Sequence, residues 1–460
     1  MAFPAAVDEY LTGRCARWIG ELGEFLAIPS ISALSAHRAD MERAAAWLAG
    51  RLRAAGLEEV RVDPLPDGHP VVRGGWHHLP GAPTLLLYGH YDVQPVDPES
   101  AWTTPPFTPT VRDGAIYARG ASDDKGQVLM QVLAVEAWLR TVGRLPLNVE
   151  FLVEGEEEIG SPHLGAYIAA HQAELAADAA VISDTPMYAP GVPALCYGLR
   201  GLCNLEVEVR GPAQDLHSGV YGGAVANPAH ALAAILAGLH DAAGRVTVPG
   251  FYDGVVPLSP AEREEWARLP FSEAGFLAET GAPDLFGEAG YTTLERIWGR
   301  PTLEVNGLWS GFTGEGRKTI IPARARAKLS CRLVPDQDPG QVLAAVADAI
   351  RAACPPGVEV EVLPGEADPA ILLPREHPAV LAARRAVAAL WDREPAFIRM
   401  GGSIPVVDTF QRNLGLPSVL LGFALPDEHF HAPDEHFHLD NFLRGARTLA
   451  RLWQEYGDSR

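Results

Sequence analysis

The chain has 460 residues, 47% of them hydrophobic, and a formal net charge of −21. That length exceeds one ordinary core, so two domains are expected. No apolar run approaches the roughly 18 residues of a membrane-spanning helix, and the acidic balance argues against nucleic acid and anionic membranes as partners. Asp8, Glu9, Arg14 and Arg17 fall where a secretory leader would be apolar, so no signal peptide is expected. The cysteines are Cys15, Cys196, Cys203, Cys331 and Cys354. They form no CxxC pair, and their odd number fits free thiols in a reducing, cytoplasmic compartment.

In chain order, Asp40–Ala55 carries apolar residues at helical spacing. Thr84–Tyr88 is a short continuous apolar run, as in a buried strand. Gln127–Arg140 reads as a long helix, and Asn148–Val153 and Ala179–Ile182 as further buried strands. The rhythm predicts an α/β domain, a mixed and mostly parallel sheet with helices on both faces. Near Gly201 the character changes. Leu202–Arg210 and Arg324–Val334 alternate apolar and polar, as strands with one wet face do. Asn227–His240 and Gly340–Ala353 read as helices and Val358–Leu363 as a strand, while Tyr252–Pro301 resists assignment. The α/β pattern resumes with a helix over Pro378–Leu390, a strand at Ser418–Leu421 and a helix over Leu439–Tyr456. The expectation is a discontinuous catalytic domain, residues 1–201 and 374–460, interrupted by an inserted α+β lid and dimerisation domain, 202–373.

Several segments place ligand-type side chains after apolar strands: His90 and Asp92, the run Glu154 to Glu158, and Asp184. Asp123 and Asp124 precede a helix, and His429, His431, His436 and His438 follow the strand at Ser418. Singly, each has an ordinary reading as a loop histidine, an N-cap or a solvated acidic face. Together they do not. Glutamates directly after a buried strand repel one another and are costly to desolvate unless cations neutralise them. Two histidines and three carboxylates suit a two-metal site with one shared carboxylate. His90 and Asp92 are two residues apart, so in extended chain they point the same way, and Asp92 can fix the imidazole tautomer.

The ordered motifs YGHYDVQP (88–95), RGASDDKG (119–126), EGEEEIGS (154–161), SD (183–184), DLHSG (215–219), CRLVPD (331–336), GGSIP (401–405) and HAPDE (431–435) resemble the M20 metallopeptidases. Within them the chain most resembles the carnosinase-like and cysteinylglycine-type dipeptidases. The FYDGV segment (251–255) and the insertion after it also look like that branch. The resemblance implies that Asp123 is the bridging carboxylate, joined to Asp124 by what is often a cis peptide. It implies that His90 and Asp184 complete one metal site, Glu158 and His431 the other. It makes Glu157 the general base and Asp92 the imidazole-orienting residue. Glu156, His429, His436 and His438 receive no role, and Asp434 stands where many relatives have Asn. His217 would reach the neighbouring subunit's active site and polarise the scissile carbonyl. Arg332 and Thr319 would hold the substrate carboxylate, and Ser403 would line the pocket. From spacing alone, Arg332 would instead be a strand residue paired with Asp336 or Asp338.

The implied chemistry is hydrolysis of dipeptides or very short peptides by a bridging water, activated by two divalent ions and Glu157. Zinc is expected, with manganese or cobalt as alternatives, in a cytoplasmic homodimer. The alternatives are an N-acyl amino acid deacylase of the same superfamily, a catalytically inactive dimeric binding protein on this scaffold, and simple metal storage.

Overall fold

Four apolar runs become the parallel centre of one sheet in the computed structural model, which describes residues 3–402 and 404–459. In spatial order they are Asn148–Glu154, Thr84–His90, Ala179–Ile182 and Ser418–Leu420. They are buried at almost every position, as strands covered on both faces must be. Antiparallel strands flank this centre. Val71–Trp76 and then Glu58–Asp63 lie beyond Asn148–Glu154, and Ala194–Leu199 lies beside Ser418–Leu420. The central helix Lys125–Thr141 is buried from Lys125 through Trp138. A helix buried all round lies inside a core, and this one packs against Leu439–Gly457, Ala5–Thr12 and Arg38–Ala55.

Val71–Trp76 has no sequence expectation because Arg73 breaks its apolar run. Arg73 is buried and pairs with Glu150 on the adjacent strand, Nη2 to Oε1 at 2.7 Å. The charge is compensated inside the sheet, where hydropathy alone would not place it.

By its internal contacts the chain divides into two units, Met1–Tyr197 with Leu373–Ile398 and Pro405–Arg460, and Gly198–Leu372 with Arg399–Ile404. The second unit holds an antiparallel sheet in the order Thr302–Ser310, Arg324–Leu333, Gly201–Arg210, Glu359–Asp368. Its core is the inward set Leu205, Val207 and Val209 with Ala325, Ala327 and Leu329. Helices Pro228–Ala237 and Pro339–Ala352 cover that face with Leu232, Ile235, Val342 and Val346. The unassigned stretch after Tyr252 folds into short helices at Pro260–Ala267, Glu273–Thr280 and Thr293–Gly299. The first and last of these open on capping boxes, Ser259 with Glu262 and Thr292 with Glu295. Among the described residues no helix is long and apolar enough to cross a membrane.

Candidate active site

The parallel register brings several strand ends to one edge of the first unit's sheet, where open α/β sheets bind ligands. His90 ends its strand level with Glu154 on the neighbour. Glu157 and Glu158 sit in the 3-10 turn that follows Glu154, and Asp184 lies just past Ala179–Ile182. Asp123 ends the loop leading into helix Lys125–Thr141. That helix comes close because residue 89 is glycine. A Cβ there would stand 2.4 Å from Val128 Cγ2 and 2.6 Å from Asp124 Oδ2. Asp124 instead accepts from the His90 N–H at 3.2 Å, and the Asp123–Asp124 peptide is cis.

Asp123 faces two ways. Its Oδ1 is 3.1 Å from His90 Nε2 and its Oδ2 is 3.0 Å from His431 Nε2. Asp184 Oδ2 is 3.8 Å from His90 Nε2, and Glu158 Oε2 is 3.2 Å from His431 Nε2. Two ligand groups result, His90–Asp123–Asp184 and Asp123–Glu158–His431, each with its donor atoms within 4.8 Å of one another. Around a tetrahedral ion with bonds of about 2.0–2.1 Å, ligand atoms stand roughly 3.3–3.4 Å apart. The four distances above bracket that value. Two imidazoles and three carboxylates are also the donor types that zinc and its first-row neighbours take.

The residues around the ligands fix their protons. Asp92 is buried, with Oδ1 at 3.3 Å and its main-chain oxygen at 3.1 Å from His90 Nδ1. Both are acceptors, so Nδ1 carries a proton, and Nε2, turned to Asp123 and Asp184, is the ring atom left for a metal once its own proton leaves. The other Asp92 oxygen accepts from the Glu158 N–H at 3.1 Å. Gln94 donates to Glu158 Oε2 at 2.7 Å, a ligand-orienting contact with no sequence expectation although Gln94 lies in the first motif.

The electrostatics call for cations. Burial, then the charge of Asp123, pushes the Asp184 carboxyl up to about 7. Burial pushes Glu157 up to about 9 against the help of His90, and the charges of Asp184, Glu158 and Asp123 add to the rise. Burial and the Asp123 charge also raise Glu158. Only Asp123 goes down, because His431 and His90 outweigh its burial. A group of carboxylates that cannot all ionise alone is what two dications would neutralise. Glu157 belongs to neither ligand group.

The remaining expected residues lie in the second unit or outside the described residues. His217 is exposed on a short ribbon, paired opposite Ile320. Its Nδ1 accepts from the Gly219 N–H at 3.0 Å, which leaves the proton on Nε2. Thr319 is exposed on the same ribbon, and its carbonyl accepts from the Ser218 N–H. Ser403 lies outside the described residues.

Arg332 is half-buried and opposite Leu202 and Thr302 on its two neighbouring strands. Asp338 caps helix Pro339–Ala352 instead of pairing with it, and among the described residues neither Asp336 nor any other carboxylate forms an ion pair with Arg332. A second unclaimed arginine stands near. Arg200 donates from Nε to the Gly401 carbonyl at 3.3 Å, while its buried Nη1 has no hydrogen-bond partner among the described residues. A Cβ on Gly401 would lie 2.8 Å from Arg200 Nη2, so a side chain there would make the guanidinium shift. Burial and the Arg332 charge push Arg200 down to about 10. The Glu304 charge offsets part of that fall, and neither guanidinium has an ion pair among the described residues. No sequence signal points to Arg200, because its nearness to Arg332 arises only in the folded chain.

The model of Peptidase family M20/M25/M40 matches residues 86–455. The Cys-Gly metallodipeptidase of Candida albicans is 31% identical over 465 residues, covering 96% of this chain and 95% of its own. The human Beta-Ala-His dipeptidase is 31% identical over 466 residues, covering 98% and 92%. The crystal structure of human carnosine dipeptidase 1 superposes with a TM-score of 0.83 at 30% identity, covering 100% of this chain and 99% of that one. An M20 metallo-carboxypeptidase from Sulfolobus solfataricus gives 0.82 at 32% identity, covering 96% and 99%. With the family model spanning most of its length and these relatives matching nearly end to end, the chain belongs to peptidase family M20/M25/M40.

Proposed function

We propose that this enzyme hydrolyses the peptide bond of dipeptides, using two divalent metal ions per chain, zinc foremost. The observation that carries the reading is Asp123, whose two oxygens each face a different histidine–carboxylate pair. The names of its relatives, Cys-Gly metallodipeptidase and Beta-Ala-His dipeptidase, support the substrate class. His90, Asp123 and Asp184 would hold one ion, and Asp123, Glu158 and His431 the other. When bound, the ions supply a water acidic enough to ionise near neutral pH and a Lewis acid for the scissile carbonyl.

The chain does the rest. Glu157 takes the proton of the attacking water and passes it to the leaving amine. It stands outside both ligand groups and within the field of Asp184, Glu158 and Asp123. Asp92 keeps the His90 proton on Nδ1. His217, with its proton on Nε2, donates to the developing oxyanion. Arg332 takes the terminal carboxylate of the substrate by a planar two-point contact, with Thr319, Ser403 and the neighbouring Arg200 completing that subsite. A fixed carboxylate anchor favours peptides of two residues over long ones.

The second unit forms a homodimer through its edge strand Thr302–Ser310, and His217 acts on the partner's site. The strand lies at the end of its sheet and exposes Val305, Leu308 and Trp309. An edge of that kind is a template for pairing with another chain. The enzyme works in the cytoplasm, a reading supported by the five free cysteines. The test is metal-depleted enzyme reloaded with Zn²⁺, Mn²⁺ or Co²⁺ and assayed on Cys-Gly, β-Ala-His and N-acetyl amino acids. Dipeptides should be cleaved and N-acetyl amino acids spared; the reverse preference would replace this reading with a deacylase.

A further inference from the structure

Glu435 lies four residues beyond His431 and is fully buried. The strand that follows it, His436–His438, pairs antiparallel with Ala115–Tyr117, His436 opposite Tyr117. That register carries Glu435 onto the loop that runs from Ala118 to Asp123, and its carbonyl accepts from the Ala118 N–H at 3.1 Å. Its carboxylate then collects five donors. Oε2 accepts from Arg119 Nη1 at 2.8 Å and the Gly120 N–H at 2.9 Å. Oε1 accepts from the Ser122 N–H at 3.1 Å, the Asp123 N–H at 3.2 Å and Ser122 Oγ at 3.4 Å. A buried carboxylate needs donors of this number. Here every one belongs to the short loop that ends in the doubly facing Asp123.

The same segment sets His431. His429, His431 and Asp434 have φ of 60°, 58° and 61°, a conformation non-glycine residues rarely adopt. The turn is tied at its far end, where Asp434 accepts from the Thr103 N–H at 2.8 Å and Thr103 Oγ1 at 2.6 Å. Glu435 therefore joins the backbone of Asp123 to the turn that carries His431. The two ligands come from positions 308 residues apart, and their side chains meet at 3.0 Å.

We propose that Glu435 is a positioning residue: it clamps the 119–123 loop so that Asp123 is aimed at both metal positions, in register with His431, before any ion arrives. This rests on the two-metal reading and adds to it a preorganised bridge. The rival is a staple that stabilises the fold without bearing on metal affinity.

The test uses full-length metal-free protein titrated calorimetrically with Zn²⁺ alone, with no peptide present. Wild type is compared with Glu435→Gln and with Arg119→Met/Glu435→Gln, which removes both charges of the buried pair. Glutamine keeps one neutral acceptor and sets an NH2 against donors that the second oxygen had accepted, and charge-assisted hydrogen bonds are roughly twice as strong as neutral ones. The zinc dissociation constant of the double variant should rise about 10–100-fold. A constant equal to wild type, with only the melting temperature of the metal-free protein lowered, overturns the proposal. A wild type that takes up no zinc sinks the two-metal reading instead, so the two failures are distinct. Should neither variant fold, amide exchange of metal-free wild type decides. The Gly120, Ser122 and Asp123 amides are expected to be protected, and exchange at the rate of an open loop overturns the clamp.

Discussion

Replacing Glu157 by Gln removes a charge while keeping the side chain's shape. Neither ligand group includes Glu157, so the metal ligands stay intact. The neighbouring carboxylates are otherwise engaged: Asp123, Glu158 and Asp184 are the proposed ligands, Asp92 faces His90 Nδ1 and accepts from the Glu158 N–H, Asp124 accepts from the His90 N–H, and Glu154 accepts from Tyr88 and Ser161. A general base contributes roughly 10²–10⁴-fold. With no substitute at hand, the loss should fall in the upper half of that range, about 10³–10⁴ in kcat, or ~4–5.5 kcal/mol of barrier. KM and metal content should stay near wild type, since the base acts in the transition state and not in binding. The assay is steady-state hydrolysis of Cys-Gly by the metal-loaded variant, with metal content measured on the same sample. A variant with kcat within about tenfold of wild type at full metal occupancy would refute Glu157 as the base.

Other expectations follow from the same geometry. Arg332→Met and Arg200→Met should each lower kcat/KM for dipeptides about 10–100-fold, the loss of a hydrogen bond to a charged group. On C-terminally amidated dipeptides both effects should vanish; equal losses on the two substrate forms would show the arginines do not read the carboxylate. Metal affinity should rise with pH. In the metal-free site the Asp184 carboxyl is held up to about 7, so below that pH an ion must displace a proton. For the Asp184 proton alone, the dissociation constant should be about tenfold weaker at pH 6 than at pH 8. A flat affinity between pH 6 and 8, or no proton release in calorimetry across two buffers, contradicts this. Finally, Glu157→Gln and His217→Ala subunits should complement when mixed and re-equilibrated. If His217 acts on its partner, each heterodimer keeps one whole site, and roughly a quarter of wild-type activity returns. No recovery above the separate variants would put His217 back on its own chain.

The legible parts of the sequence were those where one local rule applies. The runs at Thr84, Asn148 and Ala179 are continuously apolar because both faces are covered, and they are the sheet's centre. The alternation in Arg324–Leu333 follows from one wet face. His90, Asp123, Glu158, Asp184 and His431 were legible as a set because their types and order match a known pattern, and the strand ends do bring them together. What escaped depends on distant partners. Val71–Trp76 hides as a strand because Arg73 is neutralised by Glu150, a neighbour 77 residues away. Glu435 sits in a recognised motif, yet its role appears only when the 118–123 loop folds against it from over 300 positions earlier. The helix Cys15–Leu26 carries Trp18, Leu22, Phe25 and Leu26 at helical spacing, a signal interrupted by Gly20, Gly23 and the charges among them. The short helices after Tyr252 carried capping boxes whose signal was diluted by glycine and proline.

If two ions share Asp123, both are needed for peptide hydrolysis. The most direct measurement is a Zn²⁺ titration of metal-depleted enzyme, with Cys-Gly hydrolysis and bound zinc read at every step. Activity should rise only as the second equivalent binds and should saturate at two per chain. Full activity at one equivalent, or turnover by the metal-free protein, would contradict the account.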